Sequence, residues 1–113
     1  MASKVDAQKF DPIGTIQKLP NFNPTTVASA IAMDAPTAFI TRVSGTAEMT
    51  TIGLPWDSFA GEICFIPTAA FTGATSGTAS ATAGKIGLAF TAVAARALFL
   101  VYEPTTQAWY PHY

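Results

Sequence analysis

Across Arg96–Tyr102 the side chains alternate, with Ala97, Phe99 and Val101 opposing Arg96, Leu98, Leu100 and Tyr102. A period of two puts successive side chains on opposite faces of an extended chain, so this segment reads as a strand. Glu103-Pro104-Thr105-Thr106-Gln107 then turns the chain, and Ala108–Tyr113 returns with a cluster of aromatic residues. Proline is pre-set for a turn and cannot donate to a ladder, so the first strand stops there. The expectation is a closing β-hairpin in which Trp109 faces Tyr102 as a cross-strand aromatic pair. A chain ending this way is expected to build the rest of its core from strands.

Upstream of the hairpin the same texture recurs in short segments. Thr37–Val43 alternates, with Phe39, Thr41 and Val43 on one face and Ala38, Ile40 and Arg42 on the other. Ser44-Gly45 is a turn signal, and Thr46–Ile52 is expected to complete a hairpin with Thr37–Val43. Glu62–Ile66 is a near-continuous apolar strand ended by Pro67. Ile86–Val93 reads as one further strand, and Ala92–Ala97 fits a helical turn on its alanine content. Thr25–Met33 fits helix or strand. Thr72–Gly84 contains only Thr, Gly, Ala and Ser, which suits an exposed loop or a flat ribbon; a long loop is the favoured reading. Short strands at close spacing predict an all-β, compact single-domain β-sandwich or barrel with an extended N-terminal arm.

The arm is residues 1–24 and the β domain residues 25–113. The arm holds three of the six basic residues, Lys4, Lys9 and Lys18, and the prolines Pro12, Pro20 and Pro24. Its apolar residues, Phe10, Ile13, Ile16, Leu19 and Phe22, are spaced as anchors rather than as a helix face. Pro12, Gly14 and Pro20 argue against a lasting helix. These five residues, with Trp56 in the Gly53–Ser58 loop, are the partner-binding candidates.

Composition bounds the partners. The 113 residues suit one domain with a single core. Charged residues make up 12%, against about 25% in soluble proteins, and mean hydropathy is +0.33. A charge-poor surface is expected to be covered by other subunits, because obligate interfaces are apolar and depleted in charge. Net charge is −1, so attraction to nucleic acid or to anionic lipid is not expected. No secretory leader is visible at Met1–Asp6, and Ile86–Tyr102 is too short, with Arg96 inside, for a membrane span.

Catalytic chemistry finds little to work with. His112 is the only histidine and has no carboxylate beside it in sequence. Glu48 and Glu62 lie on different expected strands, and no carboxylate pair on one strand face suggests acid–base work. No His, Cys or acidic cluster has metal-ligand spacing, and no phosphate loop follows the glycines. Cys64, the single cysteine, reads as a buried structural thiol. The expectation is therefore no enzyme, with no catalytic, cofactor-binding or metal-binding residues. Arg42 and Arg96 either protect a strand edge or pair with an acid across a subunit interface.

Val43-Ser44-Gly45-Thr46-Ala47, Thr50-Thr51-Ile52, Pro55, Phe59-Ala60-Gly61, Ile63, Ile66-Pro67-Thr68 and Ala70-Phe71-Thr72 follow one another in an order that resembles small tailed-bacteriophage structural proteins. The resemblance continues through a Thr/Gly/Ser-rich stretch to Ala92–Ala97, Leu98–Tyr102, Pro104 and Trp109-Tyr110-Pro111. It covers Arg42 to the C-terminus and leaves out the arm. Cys64-Phe65 departs from it, since an aliphatic or threonine strand is more usual there. The resemblance implies a virion component: a capsid decoration (cement) protein, a head fibre or a tail-fibre-associated piece. A single short domain with an anchoring arm and a charge-poor surface favours the cement protein. Since decoration proteins commonly form trimers, the expectation is a homotrimer on the outer capsid surface that binds the major capsid protein. The alternative is an adhesion module of a tail or head fibre that binds host-surface glycan through Trp56 or the terminal aromatics.

Overall fold

The computed structural model describes residues 19–57 and 59–112, and every regular element among them is a strand. In chain order these are β1 (Val27–Ala28), β2 (Ala32–Met33), β3 (Ile40–Ser44), β4 (Thr51–Gly53), β5 (Glu62–Pro67), β6 (Phe71–Gly73), β7 (Ala83–Ile86), β8 (Phe90–Ala92), β9 (Leu98–Glu103) and β10 (Ala108–His112). Eight form one mixed sheet in the order β1-β3-β5-β9-β10-β7-β4-β2, and β6 and β8 form a two-stranded sheet. The all-β expectation holds.

The centre is the hairpin expected from the alternation. β9 and β10 pair antiparallel, with Trp109 opposite Tyr102 and their rings 5.1 Å apart. β9 buries Leu98, Leu100 and Tyr102 on one face, as a period of two requires. Outward from β9 come β5, antiparallel, then β3 and β1, both parallel; outward from β10 come β7, parallel, β4, antiparallel, and β2, parallel.

The two outermost strands, β1 and β2, are joined by Ser29-Ala30-Ile31 alone. From Ala28 to Ala32 an extended chain reaches roughly 14 Å at most. A flat eight-stranded sheet would hold its edges about 33 Å apart at the usual strand spacing. The sheet must therefore curl, and it does so into a half-barrel. The crossing is fastened at both ends: Ser29 N–H donates to the Ser44 carbonyl, and the Ile31 carbonyl accepts from Thr50 N–H and Thr51 N–H.

Inside the curl lies one apolar core that includes Met33, Val43, Ile52, Phe59, Ile63, Phe65, Ile86, Leu100 and Trp109. Gly84 on β7 is needed there. A Cβ at that position would lie 2.5 Å from the Tyr102 ring and 2.9 Å from the Trp109 indole nitrogen.

Several local expectations fail for tertiary reasons. Ser44-Gly45 does turn the chain, with Gly45 at φ 81°, but β3 and β4 do not pair. β3 is placed between parallel neighbours β1 and β5, and β4 between β2 and β7, so curling of the sheet overrides the hairpin signal. Thr25–Met33 supplies two short strands at opposite sheet edges. Ile86–Val93 splits around Gly87–Ala89 between the two sheets. Ala92–Ala97 holds no helical turn: Ala95 adopts φ 65°, its N–H reaches the Pro67 carbonyl, and Arg96 N–H reaches that of Val93. Residues 74–82 form a loop, pressed so closely on β4 that a Cβ at Gly77 would meet the Thr50 carbonyl oxygen at 2.3 Å. Among the described residues no helix is long and apolar enough to cross a membrane.

Candidate partner-binding surface

Of the expected anchors, Phe10, Ile13 and Ile16 lie outside the described residues. Leu19 is half-buried and packs against the core. Phe22 is 65% exposed. The backbone around it is well held: Phe39 N–H donates to the Pro20 carbonyl at 2.6 Å, Ile40 N–H to that of Asn21 at 3.0 Å, and Asn23 N–H to that of Ile40 at 2.9 Å. Phe22 therefore bridges Ile40 in parallel sense, and the segment continues the pairing along β3 ahead of β1. Asn23 Oδ1 accepts from Thr25 N–H at 2.9 Å and fixes the bend that follows. The backbone is anchored while the Phe22 ring stays in solvent.

The period of two on β3 sends Thr41 and Val43 into the core and leaves Ile40 and Arg42 outside. On β5, Ile66 stands opposite Arg42 and Cys64 opposite Ile40. Phe22, Pro24, Thr26, Ile40, Arg42 and Ile66 thus surround an open groove of about 400 Å³. Among the described residues its walls are mostly apolar, with Asn23 and Thr26 adding polar groups, its one charged group is the Arg42 guanidinium, and Arg42 makes no ion pair. Among the described sequence candidates, Leu19, Phe22 and Trp56, only Phe22 lines this groove. Ile40, Arg42 and Ile66 are recognisable in sequence as strand residues, but nothing in their order tells which face is solvated.

The outer face changes character further along β5. Cys64 is buried there, and its thiol is pushed up from the ordinary range first by burial and then by the Glu62 carboxylate. A thiol held protonated in this way is a poor nucleophile. Phe39 packs edge-on against Phe99 at 6.3 Å, and the His112 ring packs edge-on against Phe99 at the same distance. His112 Nδ1 lies 3.5 Å from Glu62 Oε2. No carboxylate neighbours this histidine in sequence; its partner is 50 positions away and arrives through the β5-β9-β10 order. Glu48 instead accepts a 3.0 Å hydrogen bond from the Thr72 hydroxyl. Among the described residues no group of three or more His, Cys, Asp or Glu side chains is placed to hold a metal ion.

Trp56 is 43% exposed and stands apart from the groove. Its ring meets Phe59 edge-on at 5.0 Å, Phe59 lies 5.9 Å from Trp109, and Trp109 lies 5.1 Å from Tyr102. The exposed indole is thus the outer end of an aromatic series rooted in the core, which gives it a fixed orientation at little entropic cost. Compared with protein-family models, with curated proteins and with solved structures, the chain matches none of them.

Proposed function

We propose that the chain is a structural virion protein, a capsid decoration (cement) protein that binds the major capsid protein as a homotrimer on the outer capsid surface. The observation that carries this reading is the groove in which Phe22, two-thirds exposed on an anchored backbone, lies beside Ile40, Ile66 and Arg42, which has no ion pair among the described residues. Rigidly presented aromatic side chains and arginine are the residues that dominate protein interfaces. An apolar segment of the capsid protein with a carboxylate facing Arg42 would complement the groove in shape and charge. The sparse charge of the whole chain and its sequence resemblance to phage structural proteins support the same reading.

The work of such a protein is mechanical. Apolar area buried at about 25 cal/mol/Å² across several contacts holds neighbouring capsid subunits together, and a trimer multiplies each contact through avidity. The test is binding of the recombinant chain to expanded capsids that lack it, with light scattering for its oligomeric state. The expected result is a trimer that saturates capsid sites, with Phe22→Ala weakening binding about tenfold or more. A strict monomer without capsid affinity overturns the reading. Retention on host polysaccharide with no capsid binding would favour an adhesion module of a fibre instead.

A further inference from the structure

Three loops meet around an open hollow of about 330 Å³ at the end of the sheet remote from the groove. The strand register separates the two places. Ile66 lies one step beyond the Phe65–Leu98 pair, whereas the β9–β10 turn lies past the Glu62–Val101 pair at the other end. Leu54 and Asp57 line the hollow from the loop after β4, Ser80 from the loop before β7, and Tyr102, Pro104 and Gln107 from the hairpin. Two walls are held by bonds of their own. Ser80 Oγ accepts from Thr82 N–H at 3.3 Å and Ala83 N–H at 3.1 Å. The Glu103 carboxylate accepts from Thr105 N–H at 2.6 Å and Thr106 N–H at 2.9 Å. The Tyr102 ring is 4% exposed, yet its hydroxyl makes no hydrogen bond among the described residues.

We propose that this hollow is a binding site for a neutral saccharide ring, held by hydrogen bonds to the Asp57 carboxylate, the Gln107 amide and the Tyr102 hydroxyl, between the apolar walls of Leu54 and Pro104. A carboxylate only accepts, while an amide and a phenol both donate and accept. That mixture matches the closely spaced hydroxyls of a sugar, each of which donates and accepts. Among the described residues Asp57 is the only charged side chain in the lining, which disfavours an anion and offers a cation a single ligand group. Trp56, next to Asp57 and packed edge-on against Phe59, is 43% exposed in the same loop but does not line the hollow itself. Loops set on a rigid sheet are a usual place for such recognition. The site is independent of capsid attachment.

The test is a ¹⁵N–¹H correlation titration of the isolated full chain with glucose, galactose, mannose and N-acetylglucosamine, and with glycerol as control. At least one sugar is expected to give saturable shifts at millimolar concentration, confined to amides of residues 54–57, 80–82 and 102–107. Tyr102→Phe and Gln107→Ala are each expected to weaken that affinity about fivefold, the effect of one hydrogen bond. Should Tyr102→Phe fail to fold, Asp57→Ala and Gln107→Ala, at exposed loop positions, decide alone. Absence of saturable shifts with all four sugars, equal shifts with glycerol, or affinities unchanged in the loop variants overturns the proposal.

Discussion

The indole N–H of Trp109 donates a 3.2 Å hydrogen bond to the carbonyl oxygen of Ile52, 57 positions earlier in the chain. The bond joins β10 to β4 across the intervening β7, where Gly84 stands opposite Ile52 and supplies no side chain to block it. One fully buried residue thereby ties the closing hairpin to the far half of the sheet. Trp109→Ala is expected to destabilise the fold by about 3–5 kcal/mol, the range for a large aromatic removed from a core. Trp109→Phe keeps most of the apolar volume and removes only the indole bond, while the Ile52 carbonyl stays paired with Gly84 in the β4–β7 ladder, so it should cost less, about 1–2 kcal/mol. Urea denaturation midpoints of the two variants check both the size and the order.

Gly84→Ala tests the same packing from the other side. The added methyl would be driven 2.5 Å from the Tyr102 ring, and the Tyr102 and Trp109 side chains beside it are buried on β9 and β10. Overpacking of this kind costs about 1–3 kcal/mol. A thermal melt no lower than that of the parent would show that the Tyr102–Trp109 pair shifts freely, against the close packing described.

Glu103 makes the hairpin turn sensitive to acid. The N–H groups of Thr105 and Thr106, helped by their hydroxyls, hold its carboxyl at about 2, below its ordinary 4.5. A carboxyl depressed in the folded state stabilises that state above the unfolded value, and the contribution is lost as pH falls from about 4.5 towards 2. The melting temperature is expected to fall through this window, and Glu103→Gln should flatten that part of the profile. Because the carboxylate is at the surface, the effect should also shrink in high salt. An unchanged profile in the variant would remove Glu103 from the account.

Thr41 offers a substitution of the opposite sign. It faces inward on β3, and its hydroxyl is buried without a hydrogen-bond partner. Thr41→Val removes an unsatisfied polar atom at almost constant shape, so the variant should be as stable as the parent or more so, by about 1 kcal/mol. Loss of stability in chemical denaturation would mean that an ordered water satisfies the hydroxyl.

Much of the hairpin is legible in the order of its residues. Leu98, Leu100 and Tyr102 fall on the buried face, Pro104 in the turn, and Trp109 opposite Tyr102, because all of these follow from a period of two and a short turn. The same local logic fails at Ser44-Gly45, where the turn is real but the returning strand pairs elsewhere. At the candidate surface it finds Phe22 and passes over Ile40, Arg42 and Ile66. Alternation divides a strand into two faces without saying which one the core takes, or which strand lies alongside.

The chain by itself thus determined its main strands, the alternation along β9 and the final hairpin, since each depends on residues close in sequence. Only the tertiary structure decided the parallel placement of β1, β3 and β5, the pairing of His112 with Glu62 and the groove beside Phe22. The reason is geometric. Ser29-Ala30-Ile31 ties the two sheet edges within a few residues of each other, so the sheet has to curl. That closure, spread over the whole chain, is what selects each strand's neighbours and leaves the remaining faces to solvent or to a partner.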